Sequence, residues 1–343
     1  MKRRTTMAFA AALVLGLAGA PYAAAEMTLT ISSWAPPTHL VTRDIVQGWA
    51  AEVEKVTEGR VKLRMLAKHP SAPPGAFDAV RDGLVDVTFT GPNYTPARHI
   101  VTVLPELFGG GKTSYINSVA FNRIYWKYLD KAGEFKGVKL LGVFTHGPGH
   151  MFNTKRPINS LAEMRGLKFR TGGGAGETLA QALGISSFVK SAPETYELLS
   201  SGVADGTFFP LESVFAFKLE SVVKYATIFP GGFYCVTFAF IMNEDKWNKL
   251  PKVDQDLVLS VSGEHLAKRA GRAWDAADSV ALEQMRKAGI EITEASPAFV
   301  KEISAKSSAL DQDWIKAVTA KGVDGAKALA EFRAELERVA AEK

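Results

Sequence analysis

Arg170 stands at the end of a short apolar alternation, Leu167 and Phe169, and Gly172, Gly173 and Gly174 follow it. The alternation predicts a strand, and the glycines let the backbone turn tightly into a helix over 177–183. Ligands of open α/β sheets bind just beyond the carboxyl ends of strands. A guanidinium placed there offers a rigid fork to a carboxylate or phosphate; the competing reading is a surface arginine before a loose loop. A second candidate is the pair His146 and His150. Their spacing would put both on one face of a helix, as metal pairs require, but Gly147-Pro148-Gly149 between them forbids a regular helix. Without a neighbouring acid or cysteine ligand the pair points to no metal, and one imidazole is expected instead to donate a hydrogen bond to an anionic ligand. Cys235 is the single cysteine and lies in the apolar run 233–241. A buried, inert thiol is expected.

The elements that must position these groups alternate. Residues 27–34 read as a strand, 40–57 as a helix with Ile45, Val46, Trp49, Val53 and Val56 on one side, and 61–66 as a strand. This β-α-β opening calls for a parallel sheet. A strand over 85–90 runs into Gly91-Pro92-Asn93-Tyr94, which is turn chemistry and also places Asn93 and Tyr94 at a strand end. A linker of Gly109, Gly110 and Gly111, a helix over 115–132 and a strand over 138–144 follow. Pro193 and Gly202 bracket a further helix. From 253 to 288 no proline occurs and apolar residues recur at helical spacing, so one long helix is expected, with bends permitted at Gly263 and Gly271. The tail reads as one or two amphipathic helices.

Composition narrows the class. Lys2, Arg3 and Arg4, an apolar run from Met7 and the small residues Ala23-Ala24-Ala25 make a secretory signal over 1–25, cleaved near Ala25. Three of the 41 basic residues and none of the 36 acidic ones lie in it, so the mature excess is only about +2. No basic cluster suggests nucleic acid. The run Gly172–Gly176 does not match the spacing of a dinucleotide fingerprint, and no Ser-His-Asp order with an elbow motif is present. No cofactor is expected. An exported enzyme that uses this glycine loop as a phosphate cradle is the rival function class.

Several segments resemble one family. Ser160-Leu161-Ala162-Glu163-Met164-Arg165-Gly166-Leu167-Lys168-Phe169-Arg170, Gly83-Leu84-Val85-Asp86-Val87 and Trp247-Asn248-Lys249-Leu250-Pro251 are similar to motifs of solute-binding proteins of tripartite ATP-independent periplasmic (TRAP) transporters. Ala204-Asp205-Gly206-Thr207-Phe208-Phe209-Pro210 resembles that family's Val-Asp-Gly-Gln-Glu-Asn-Pro, with two aromatic rings in place of polar groups. The resemblance implies an α/β, two-domain periplasmic binding-protein fold with a ligand cleft between the domains and a long helix spanning both. The domains would be 26–147 plus 235–273, and 148–234 plus 274–343.

The resemblance further implies that Arg170 holds the ligand carboxylate, that a small organic acid is delivered to small and large integral membrane subunits, and that the protein works in the periplasm as a monomer without turnover. His150 falls where sialic-acid-type members carry a second arginine, and Phe209 where many carry an asparagine. The expected ligand-binding set is Arg170, Phe209, His150, Trp34, Asn93, Tyr94, Phe208, Phe233 and Tyr234. The aromatic exchange points to a monocarboxylate with an apolar or aromatic part, a 2-oxo acid being one such ligand; a C4-dicarboxylate is the alternative.

Overall fold

The computed structural model describes residues 26–342 apart from 108, 109 and 111. The export signal over 1–25 and most of the glycine linker 109–111 therefore lie outside the described residues. Eleven strands occur among the described residues: β1 Met27–Ile31, β2 Val61–Met65, β3 Val87–Thr90, β4 Val138–Thr145, β5 Gly149–Asn153, β6 Lys168–Thr171, β7 Ser186–Val189, β8 Gly206–Pro210, β9 Tyr225–Ile228, β10 Thr237–Asn243 and β11 Glu291–Glu294. They form a five-stranded sheet in the order β2-β1-β3-β10-β4 and a six-stranded sheet in the order β11-β9-β5-β8-β6-β7.

The opening is the β-α-β unit that the sequence calls for. β1 pairs in parallel with β2 from Met27 opposite Val61 to Ile31 opposite Met65. The connecting helix Gln47–Val56 buries Trp49, Ala50 and Val53. Each sheet contains one strand that runs against its neighbours, β10 in the first and β5 in the second. The reason is the path of the chain. It leaves the first sheet at the carboxyl end of β4, crosses in three residues, and enters the second sheet at the edge where that sheet's parallel strands also end. A strand entering there can only run backwards. The return from β9 into β10 repeats the geometry in reverse. The two crossings are bonded to each other: Gly149 N–H donates to Tyr234 C=O at 2.8 Å and His146 N–H to Val236 C=O at 3.1 Å. The carboxyl ends of both sheets therefore face one seam.

Helices fasten the halves. The expected 253–288 helix is divided into Lys252–Ser260 and Gly263–Lys287. At the break the Ser262 hydroxyl accepts from Trp49 Nε1 and donates to the Val258 carbonyl, and Gly263 takes a φ of +54°. That conformation costs glycine little. The longer piece packs on β4 and on the helix Ser114–Ile124 near its start and on β11 near its end, so it spans both sheets. The final 70 residues do not stay with the second sheet. β11 joins β9 there, but the helix Gly325–Ala341 lies on Ser114–Ile124 of the first unit and buries Phe332, Leu336 and Val339 in its core. Between them, Pro297–Thr319 sets Phe299 against Phe229 at its start, and near its end Trp314 donates to the Ile100 carbonyl. Its amphipathic faces were legible; which sheet each would cover was not.

Candidate functional site

Aromatic rings gather at the seam around a cavity whose empty space, open solvent at its mouth included, is about 530 Å³. The first sheet contributes Trp34, His39, Phe89, Asn93, Tyr94 and His146, all at or just past the carboxyl ends of β1, β3 and β4. The second contributes Arg170, Phe208, Phe209 and Glu212 from the ends of β6 and β8. Tyr234 and Phe238 come from the return crossing, and Trp274 from the long helix. Rings supply most of the wall. Trp34 packs on Phe89 with centroids 4.4 Å apart, and Phe238 stacks on Trp274 at 5.5 Å.

Arg170 is 1% exposed. Its Nε and Nη2 donate to the Lys190 carbonyl, at 2.8 and 2.5 Å, and its guanidinium lies 4.7 Å over the Phe209 ring. Burial pulls its pKa below the usual value, and the neighbouring Tyr94 and Tyr234 hydroxyls offset part of that. No carboxylate of the described residues lies within ion-pair distance of it. A buried cation without a counter-charge costs several kcal/mol. The Nη1–Nη2 edge still has N–H donors left to fork onto an anion.

Polar groups of the first unit grip the second beside this arginine. Asn93 Nδ2 donates to the Gly172 carbonyl at 2.6 Å, which fixes the amide and leaves Oδ1 buried without a partner. Tyr94 hydroxyl accepts from Ala192 N–H at 3.0 Å. Glu106 Oε2 accepts from Ala175 N–H and its Oε1 from Thr237 N–H, both at 3.0 Å. The glycines make this approach possible, since a Cβ on Gly174 would sit 2.5 Å from Glu106 Oε2 and one on Gly173 2.7 Å from the Asn93 carbonyl. The amino end of the helix Gly174–Ala182 is thus occupied by the chain's own carboxyl group. A helix start is an anion site, and here Glu106 fills it, so the loop is no open phosphate cradle.

Seven of the nine expected residues line the cavity: Arg170, Phe209, Trp34, Asn93, Tyr94, Phe208 and Tyr234. His150 does not. It sits on β5, 4% exposed, and its Nδ1 accepts from Phe229 N–H at 3.1 Å, while burial holds its pKa at about 3. A neutral imidazole spent on backbone cannot replace a second arginine. Phe233 is likewise turned into the core, against Phe208 at 4.9 Å and Phe229 at 4.8 Å. His146, not His150, reaches the wall. Its Nδ1 donates to the Gly147 carbonyl, so in the neutral ring Nε2 is an acceptor, contrary to the expected donor role. Burial depresses it to about 4. Among the described residues no His, Cys, Asp and Glu group could hold a metal ion. Cys235 is buried with Sγ donating to the Pro105 carbonyl, and burial raises its pKa.

His39, Glu212 and Trp274 escape sequence reasoning. His39 and Glu212 follow the ends of β1 and β8, and the strand-end rule that selects Arg170 selects them too. Trp274 gives no such signal, because a tryptophan in a helical stripe reads as core.

Two sheets whose strand ends meet over a ring-lined cavity, joined by two adjacent crossings, define a two-lobed solute-binding protein. The pattern described as bacterial extracellular solute-binding protein, family 7 (DctP), matches residues 31–317, and the chain belongs to that family, the TRAP solute-binding proteins. It is 48% identical to a TRAP periplasmic solute-binding protein of Bordetella bronchiseptica solved with bound (R)- and (S)-mandelate, with a TM-score of 0.89 over 91% of this chain and 99% of that one. A marine metagenome TRAP protein specific for aromatic acid ligands, solved with 3-hydroxybenzoate, is 28% identical with a TM-score of 0.85, covering 92% and 99%. A protein called outer membrane transporter protein TsaT, from Comamonas testosteroni, is 29% identical over 97% of both chains. Among the described residues no helix is long and apolar enough to cross a membrane.

Proposed function

We propose that this chain is the periplasmic receptor of a TRAP transporter and captures an aromatic monocarboxylate, which it releases unchanged to the small and large membrane subunits. One observation carries the reading: Arg170 is a buried cation with no acid beside it and spare donors in a cavity walled by rings. A carboxylate on those donors would contribute about 1.5–3 kcal/mol. A ring between Trp34, Phe89 and Phe209 would add roughly the same by burial. The mandelate and 3-hydroxybenzoate held by the two similar structures support an aromatic acid over a C4-dicarboxylate.

The bonds from Asn93, Tyr94 and Glu106 to the second unit close the cavity, and release would require a hinge motion at the two crossings. A thermal-shift screen of the mature chain tests the reading. Mandelate, benzoate and branched 2-oxo acids are set beside succinate, malate and sialic acid. Stabilisation by the aromatic acids alone is expected. Stabilisation by the dicarboxylates alone would overturn the ligand class.

A further inference from the structure

The far end of the cavity carries a group that an apolar ring does not use. Glu212 lines the wall and is 7% exposed. Its Oε1 accepts from Ser213 Oγ at 2.8 Å and from Trp274 Nε1 at 3.2 Å, and His39 Nε2 lies 3.8 Å away. Val41 N–H donates to His39 Nδ1 at 3.1 Å, which places the imidazole proton on Nε2, toward the carboxylate. All three donors address one oxygen. Oε2 accepts from no group among the described residues. Asp278 lies on the other side, its Oδ1 accepting from Glu212 N–H at 2.9 Å, and burial together with the Glu212 charge raises its pKa. It adds no cation to neutralise the wall.

Contacts order the cavity from end to end. Arg170 lies over Phe209, Phe209 stacks on Phe217 at 5.5 Å with planes 10° apart, Phe217 meets His39 at 5.4 Å, and His39 approaches Glu212. Two stacked rings thus stand between the buried cation and the buried carboxylate. Both groups line the same cavity, so an anionic ligand anchored at Arg170 extends within the space that Glu212 also lines. A bare aromatic edge there would bury the spare oxygen without a partner, whereas a hydroxyl on the ring would satisfy it.

Resting on the reading that Arg170 anchors an aromatic carboxylate, we propose that Glu212 is a specificity residue that selects a ring hydroxyl, so that the ligand is a hydroxylated aromatic acid. The hydroxyl donates to Oε2 while the carboxylate sits on the arginine. Asn93 also lines the cavity and keeps Oδ1 without a partner, a second acceptor for a hydroxyl near the carboxylate. The two positions are separable, since every mandelate carries the latter hydroxyl and only some carry the former.

The test is calorimetric titration of the mature chain with mandelate, 3- and 4-hydroxymandelate, and 3- and 4-fluoromandelate. Fluorine approximates the hydroxyl in size but donates nothing. One hydroxy isomer is expected to bind about tenfold or more tighter than its fluoro counterpart. In Glu212→Gln that ratio should collapse towards one, whereas a merely structural Glu212 would weaken every acid alike and leave the ratio as it is. Wild-type protein alone decides if the variant does not fold, because the phenol band of the bound hydroxy acid must shift to the red when it donates to a carboxylate. Equal binding of hydroxy and fluoro acids overturns the proposal and leaves the Arg170 reading standing. A ratio unchanged in Glu212→Gln also overturns it. Failure of all five acids to bind overturns both.

Discussion

The two ends of the cavity are built from opposite charges and positioned by the same device. Arg170 lies in the last half of β6 and Glu212 just past the end of β8, strands that are neighbours in one sheet. Both are more than nine-tenths buried, and both spend part of their hydrogen-bonding capacity on the protein. Arg170 gives one edge of its fork to a backbone carbonyl, and Glu212 gives one oxygen to Ser213 and Trp274. The difference lies in what surrounds them. Arg170 is bracketed by the Tyr94 and Tyr234 hydroxyls, which favour its charge, whereas Glu212 has an imidazole at 3.8 Å and a second carboxyl behind it. Each end lacks one partner, and together the lacking partners describe one molecule.

The largest effect that could break this comparison is at the arginine. Arg170→Ala is expected to weaken every aromatic carboxylate by more than about a hundredfold, since one partner of a desolvated charge pair is lost. Titration alongside circular dichroism checks it, because the Lys190 carbonyl also loses its donors. Unchanged affinity in a folded variant would remove Arg170 from the site. Phe209→Leu is a smaller cut between the ends. It keeps apolar volume but removes the ring that stacks on both Arg170 and Phe217. Aromatic acids should lose roughly five- to tenfold, and branched 2-oxo acids little. Equal losses for both classes would refute a specific stacking role.

Acidity sharpens the comparison most gently. His146 on the cavity wall, and His150, His69 and His99 away from it, have folded pKa values of about 4, about 3, about 4 and about 4, in each case chiefly through burial. A depressed imidazole contributes stability that is fully present above its unfolded value, about 6.5, and lost as pH falls towards the folded one. Glu106 has the opposite sign. Burial raises it to about 7, so its contribution is present below the unfolded carboxyl value and lost as pH rises through 7. Burial lowers His39 too and raises Glu134 and Asp278 as it does Glu106, so five depressed imidazoles outnumber three raised carboxyls. Melting temperature should therefore fall between pH 6.5 and 4, and His150→Gln should shallow the slope by about one proton. A flat or rising profile on acidification would contradict the burial described. The same values leave His146 and His150 uncharged at neutral pH, which keeps Arg170 the cation of its end of the cavity.

Legibility followed locality. Arg170, Asn93 and Tyr94 were readable because strand, turn and special residue are contiguous and the strand-end rule needs nothing else. Phe208 and Phe209 stood out only against a family motif that carries polar groups there. His146 and His150 were misassigned for a physical reason: one lies in the crossing and the other on β5, and whether each ring meets the seam or a backbone donor is encoded by no spacing. Phe233 and Tyr234 separate in the same way, one into the core and the other onto the wall.

The sequence by itself determined the alternating elements, the parallel opening, the arginine at a strand end and the family. Tertiary structure alone decided that the long helix would break at Ser262, that the last helix would return to the first unit, that Glu106 would occupy the glycine loop, and that Glu212 and Arg170 would line one cavity. Each of these depends on residues scores of positions apart meeting in a dry interior. There a charge is stable only beside its complement, and that complement is a property of the folded chain.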